Sequence, residues 1–291
     1  MLFKTKKPSF EHLRKKWTVR HRNIQNNLFE KHKDVGRHLV IGGLGGLMLL
    51  TTPGGGLQHQ NILASDGQIQ KDTDNNILLA KELEKVVPNE MRALTLEEES
   101  KISEILSKSM DIQVSAQLNG KRLNRSYGVI GGEQHLYRYP GDNLHKHAET
   151  SADWAMYGSS GIAPGLGAWG YFAPSEAEFS EKDKQRERYY LAVQTFLSPG
   201  FTENVKEYRD FFKFRKMLVV NPETGQSVVA VIGDAGPAEW TGKHLGGSPE
   251  VMHFIGLAKG SRKGPVLYFF IDDPEDKIPL GPVKVQSTSE V

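Results

Sequence analysis

The stretch MLVVNPETGQSVVAVI, residues 217–232, constrains this chain more than any other feature. Two apolar runs rich in β-branched residues flank Pro222-Glu223-Thr224-Gly225. Proline fixes one φ of such a turn and glycine admits φ > 0 at its end. The pattern predicts a β-hairpin of Met217–Val220 with Val228–Ile232. The second run then breaks into Gly233-Asp234-Ala235-Gly236-Pro237, which places a carboxylate where a buried strand ends. Three readings of Asp234 stand side by side. It is a catalytic acid, a ligand-binding group, or a turn residue that accepts backbone N–H bonds.

More elements follow the hairpin. Strand signals run through Phe214–Asn221, Ser227–Gly233 and Pro265–Ile271. Ser248-Pro249 reads as an N-cap with proline at the first helical position, which predicts a helix over Ser248–Leu257. Upstream, residues 76–109 have helical periodicity. Leu78, Leu79, Leu83 and Val86 share one side, and Pro88 ends that helix. Thr95 with Glu98 forms a capping box before Ile102, Ile105 and Leu106. The pair reads as a short helical hairpin that packs on the main domain or spaces it from the membrane. Residues 110–170 interleave glycine, proline and aromatics and read as loop-dominated.

In the 291 residues there is no cysteine, so disulfide frameworks, zinc ribbons and thiol catalysis are excluded. The net charge is +2 overall, but residues 1–38 carry +8 and the rest therefore −6. A basic head on an acidic body implies a separate partner for the head. Leu39–Leu50 is apolar throughout, and no acidic or basic residue follows Arg37 until Asp66. Twelve residues are fewer than the ~20 of a full span and suit a signal or anchor segment. The positive-inside rule keeps Lys4–Arg37 cytoplasmic and sends the remainder outward. A glycine-rich loop, a buried helix or a basic nucleic-acid arm are the alternatives. The expectation is a cell-envelope protein, anchored or secreted, with no nucleic acid as partner.

The order of strand, NPETG turn, strand, GDAGP, serine-capped helix and strand resembles the double-psi β-barrel of the rare lipoprotein A family. Asn221, Gly225, Ser227, Val228, Val229, Asp234, Gly236 and Pro237 fall at matching spacing. The likeness covers roughly residues 205–285, and GAWGYFAP at 167–174 corresponds to the family's first strand. It implies a mainly β fold with a helical N-terminal part, built as a six-stranded double-psi barrel behind a membrane segment and a helical spacer. The boundaries are a basic segment at 1–38, the apolar segment at 39–56 and a linker at 57–75. The helical spacer follows at 76–110, an irregular region at 111–164, the barrel at 165–285 and a tail at 286–291. Relatives of this barrel include expansins and lytic transglycosylases. In those enzymes the residue at the Asp234 position protonates the glycosidic oxygen, and its carboxylate then helps the sugar's own hydroxymethyl oxygen attack. The resemblance therefore implies binding or cleavage of cell-wall glycan, with no cofactor. Ala235 replaces the family's arginine, Tyr208 occupies its histidine slot as a second candidate catalytic position, and His244 lies where its second aspartate is missing.

Trp169, Tyr171, Trp240 and His244 are candidate substrate-binding residues. Alternation puts Trp169 and Tyr171 on one strand face, where they stack on sugar rings if exposed and form core if buried. Burial of Asp234 against Trp240 or Phe172 would raise its pKa. Residues 131–147 concentrate Glu133, His135, Asp142, His145 and His147. A His-x-His pair on a strand shares a face, so His135, His145 and His147 are candidate metal ligands. The alternative is a loop packing Tyr137 and Tyr139 over the barrel. Asp272–Asp276 reads as a solvated acidic turn, its spacing unlike an EF-hand.

Overall fold

In the computed structural model of the chain, residues 60–286 are described, with side chains from residue 71 onward. The basic head, the apolar segment and residues 287–291 lie outside the described residues. Among the described residues, no helix is long and apolar enough to cross a membrane. Two helices come first, α1 (Gln60–Glu84) and α2 (Leu96–Met110), followed by the short strands β1 (Val114–Ser115), β2 (Gln117–Leu118) and β3 (Lys121–Arg122). Then come β4 (Tyr127–Gly132), α3 (Ser151–Tyr157), α4 (Glu181–Arg188), β5 (Tyr190–Val193) and α5 (Val205–Phe212). The chain ends with β6 (Lys216–Val220), β7 (Ser227–Ala235), β8 (Leu245–Gly247), α6 (Pro249–Phe254), β9 (Lys263–Ile271) and β10 (Gly281–Pro282).

The hairpin forms as its sequence dictates. β6 and β7 are antiparallel, with Val220 opposite Ser227 and Lys216 opposite Val231. Asn221 organises the turn, its side-chain oxygen accepting from Glu223 N at 3.0 Å and its Nδ2 donating to Ile255 O at 2.9 Å. From this hairpin the strands close into a ring. β7 runs parallel to β5, β5 antiparallel to β8, and β8 parallel to β4. β4 is antiparallel to β9, and β9 to β6. A closed six-strand barrel of mixed pairing leaves the ring without a free edge. β1 and β10 extend it along β9 and β7.

Strands β6, β7 and β9 are buried on both faces, which explains why they read as continuous apolar runs. Met217, Val219, Val228, Ala230, Ile232, Val266, Tyr268 and Phe270 belong to one core with Leu191, Leu245 and Met252. The alternate residues Leu218, Val220, Val229, Leu267, Phe269 and Ile271 meet Leu79 and Leu83 of α1 and Ile102, Leu106 and Met110 of α2. Burying each such side chain contributes about 1.5–3 kcal/mol. Glu99, buried in α2, ties that helix down by accepting from Ser126 Oγ at 2.6 Å and Arg122 at 2.9 Å.

Several sequence expectations change here. The linker expected at 57–75 is helical from Gln60, and α1 and α2 pack on the barrel rather than spacing it from something else. The Thr95–Glu98 capping box is present. The ring begins at Tyr127, within the stretch read as irregular, because β4 (YGVIGG) is placed by long-range pairing with β8 and β9 rather than by local propensity. Its glycines admit the neighbouring chain, since a Cβ on Gly128 would lie 2.9 Å from His244 Cβ. Residues 167–174, expected as the first barrel strand, form a loop with a single bridge between Gly167 and Gly170.

Candidate functional site

Asp234 stands near the end of β7, opposite Ala192 of β5, where the ladder shifts register between Leu191 and Ala192. Its Oδ1 accepts two backbone bonds, from Ala168 N at 2.6 Å and Ala235 N at 2.8 Å. Oδ2 takes no hydrogen bond from the described residues. Burial raises the pKa of this carboxyl, against the opposing pull of those two N–H groups. The bond to Ala168 anchors the glycine-rich loop to the barrel. Two further contacts hold the same loop, with Trp169 Nε1 donating to Ile232 O at 3.0 Å and Arg209 donating to Ala168 O at 3.0 Å. The Arg209 guanidinium also lies 5.4 Å from the centre of the Trp169 ring.

The other expected residues do not gather around Asp234 as a strand-borne set. Trp169 is half-buried against the barrel core, while Tyr171 is 39% exposed; Gly170, at φ +78°, turns the chain between them. Their shared strand face is therefore absent. Trp240 is 90% exposed in the turn at Glu239–Thr241, so it contributes no burial to Asp234. Phe172 stacks on Phe214 at 5.6 Å. Tyr208 lies on α5, and its hydroxyl donates to Pro199 O at 2.6 Å. His244 is held by β4 and its approach, with Nδ1 accepting from Val129 N at 3.0 Å and Nε2 2.8 Å from Arg125. Burial and the Arg125 charge lower its pKa. Four clefts among the described residues are each lined without Asp234. The acidic turn is neutralised by lysine, Lys216 pairing with Asp273 and Asp276 at 2.6 Å each.

A second cluster is more enclosed. His135 follows β4 and is 1% exposed; neither of its ring nitrogens has a hydrogen-bond partner among the described residues. His147 is buried at 4.7 Å between ring centres. Glu187, from the last turn of α4, sits between the two, with Oε1 at 3.4 Å from His135 Nδ1 and Oε2 at 3.3 Å from His147 Nδ1. Leu136 N donates to Glu187 Oε1 at 3.1 Å and fixes that carboxylate. On the far side of His147, Nε2 lies 2.9 Å from Asp142 Oδ2. Arg138 clamps Asp142 through Nε at 3.0 Å and an Nη at 2.8 Å. Among the described residues, His135, His147 and Glu187 are the group whose donor atoms converge closely enough to hold an ion, all within 4.8 Å of one another.

His145, expected beside His147, is not part of this group. Residues 144–146 form a 3₁₀ turn rather than a strand, so the two imidazoles diverge. His145 stacks on Trp154 at 5.1 Å, on the exposed side. Glu187 is the residue that sequence reasoning missed. It lies forty residues beyond His147, in a charged helical run with no ligand-like spacing, and only the packing of α4 brings it in.

The cluster is electrostatically strained. Burial disfavours a charged His147, yet the carboxylates of Asp142 and Glu187 outweigh it and raise its pKa to about 9. Burial likewise opposes ionisation of Glu187, but the two imidazoles keep its pKa lowered. Nearby Glu250 is raised to about 7, first by burial and then by the charge of Glu187. Its Oε2 and His147 Nδ1 are also buried without a hydrogen-bond partner among the described residues. Each such unsatisfied group costs about 1–3 kcal/mol.

Comparison with protein-family models, with curated proteins and with solved structures finds no match to this chain.

Proposed function

We propose that this chain is a cell-envelope protein whose barrel, of the double-psi type, binds peptidoglycan or a related glycan at the Asp234 corner. The single observation that carries the reading is Asp234 itself. It is an acid near a barrel strand's end with one oxygen fixed by backbone and the other taking no hydrogen bond from the described residues. That free oxygen suits a sugar hydroxyl. The loop it anchors carries the exposed Tyr171, and the segment leaving β7 carries Trp240, both suited to stacking on sugar rings. The basic head and apolar segment support envelope localisation and contact with the membrane.

Cleavage is the second reading, and the raised pKa of Asp234 favours it. A protonated carboxyl donates to the glycosidic oxygen and, once ionised, helps the hydroxymethyl oxygen attack. Against it, Ala235 brings no cation, and Tyr208 is engaged with Pro199.

The test is co-sedimentation of the full chain with purified peptidoglycan, followed by analysis of soluble products. Binding that weakens in Trp240→Ala is expected. Failure of the wild type to sediment with any glycan preparation refutes the proposal. Binding without anhydro-muropeptides removes the cleavage reading, and products that persist in Asp234→Asn remove Asp234 as its acid.

A further inference from the structure

We infer that His135, His147 and Glu187 form a structural centre for a divalent transition ion of the zinc type. Its donors come from three separate segments: the exit of β4, the 3₁₀ turn at 144–146, and the last turn of α4. In a tetrahedral zinc site with bonds of ~2.0–2.1 Å, neighbouring donor atoms stand about 3.4 Å apart. His135 Nδ1 stands 3.4 Å from Glu187 Oε1 and His147 Nδ1 3.3 Å from Glu187 Oε2, and one donor atom from each residue lies within 4.8 Å of the others. Neither contact is aligned as a hydrogen bond, so the facing nitrogens His135 Nδ1 and His147 Nδ1 are buried without a hydrogen-bond partner among the described residues. Two buried imidazole nitrogens gathered around one carboxylate are a donor set that an ion satisfies.

The surroundings fit the same reading. A ligating histidine commonly offers its second nitrogen to a carboxylate, which fixes the ring and strengthens the donor. Asp142 does this for His147 and is itself held by Arg138. Leu136 N orients Glu187 from the other side. Two imidazoles with one carboxylate select zinc-type ions over calcium and magnesium, which prefer all-oxygen shells. With three protein donors, the fourth position of the shell falls to a water. The enclosure of all three ligands suits a closed structural site that bolts the 133–147 segment and α4 to the barrel. It stands independently of any glycan reading.

The test uses the full chain, purified without a histidine tag, stripped with chelator and titrated with Zn²⁺ and then Co²⁺. One equivalent of Zn²⁺ per chain is expected, with Co²⁺ giving the intense visible bands of a four-coordinate site. Glu187→Gln and His135→Ala should weaken binding at least ~100-fold and Asp142→Asn ~10–100-fold, while His145→Ala should leave it unchanged. Where a ligand variant fails to fold, X-ray absorption on the zinc-loaded wild type decides, with scattering from two imidazoles expected. Less than a tenth of an equivalent bound, an ion without two imidazole ligands, or affinity lost equally in His145→Ala overturns the inference. So does a crystal structure with ordered water in place of the ion at saturating Zn²⁺.

Discussion

Gly225 and Gly120 share a backbone conformation and differ in what surrounds them, which makes them a controlled pair. Both sit at positive φ, +72° and +74°. An added Cβ at Gly120 meets nothing within 4 Å, whereas at Gly225 it would lie 2.0 Å from the carbonyl oxygen of Asn76 in α1. The left-handed conformation costs a residue with a Cβ about 1–2 kcal/mol, and that is the whole effect expected of Gly120→Ala. Gly225→Ala carries the same cost and must also push α1 off the turn. That contact is backbone against a hairpin turn, so no side-chain rotation relieves it. Displacing α1 loosens Leu79 and Leu83, each worth about 1.5–3 kcal/mol when fully buried. Partial loss of both brings the expected total to about 3–5 kcal/mol. Urea denaturation of both variants measures the difference, and limited proteolysis within α1 should accelerate in Gly225→Ala alone. If the two variants lose stability equally, α1 does not rest on the NPETG turn and the packing described for it is wrong.

Three more outcomes are expected. Because burial raises the pKa of Asp234, the folded state holds its proton more tightly than the unfolded state. Stability contributed at this site is therefore lost as pH rises from below the ordinary 3.8 through the folded value; Asp234→Asn should be at least as stable as the wild type at neutral pH and lose that slope in urea melts across the range. Glu99→Ala strands the Ser126 hydroxyl and the Arg122 guanidinium, and equilibrium unfolding should show a loss of about 2–4 kcal/mol. Trp240→Ala should change thermal stability by no more than about 0.5 kcal/mol, since the ring is 90% exposed, so any loss of glycan binding is a surface effect.

What could be read from the sequence was local. The β6–β7 hairpin follows from proline and glycine in one turn and β-branched runs beside it. The α2 capping box and the Ser248–Pro249 helix start follow from side chains within four residues of the backbone groups they satisfy. Asp234 was legible as a residue near the end of β7 because strand and turn signals meet there.

Long-range placement was not legible. β4 is glycine-rich, and its two ring partners lie more than a hundred residues downstream. The helices α1 and α2 read equally as a packed hairpin or a spacer because their partner surface is the outer face of a barrel that closes only later in the chain. His145 and His147 looked paired because spacing of two was read on a strand; the 3₁₀ turn rotates them apart. Glu187 entered the buried cluster by the packing of α4 alone. The sequence by itself determined which segments turn, cap and pair with their neighbours, since those choices depend on φ preferences and short-range bonds. Only the tertiary structure decided which polar groups lose water together, because burial and convergence are properties of the closed ring and not of any segment in it.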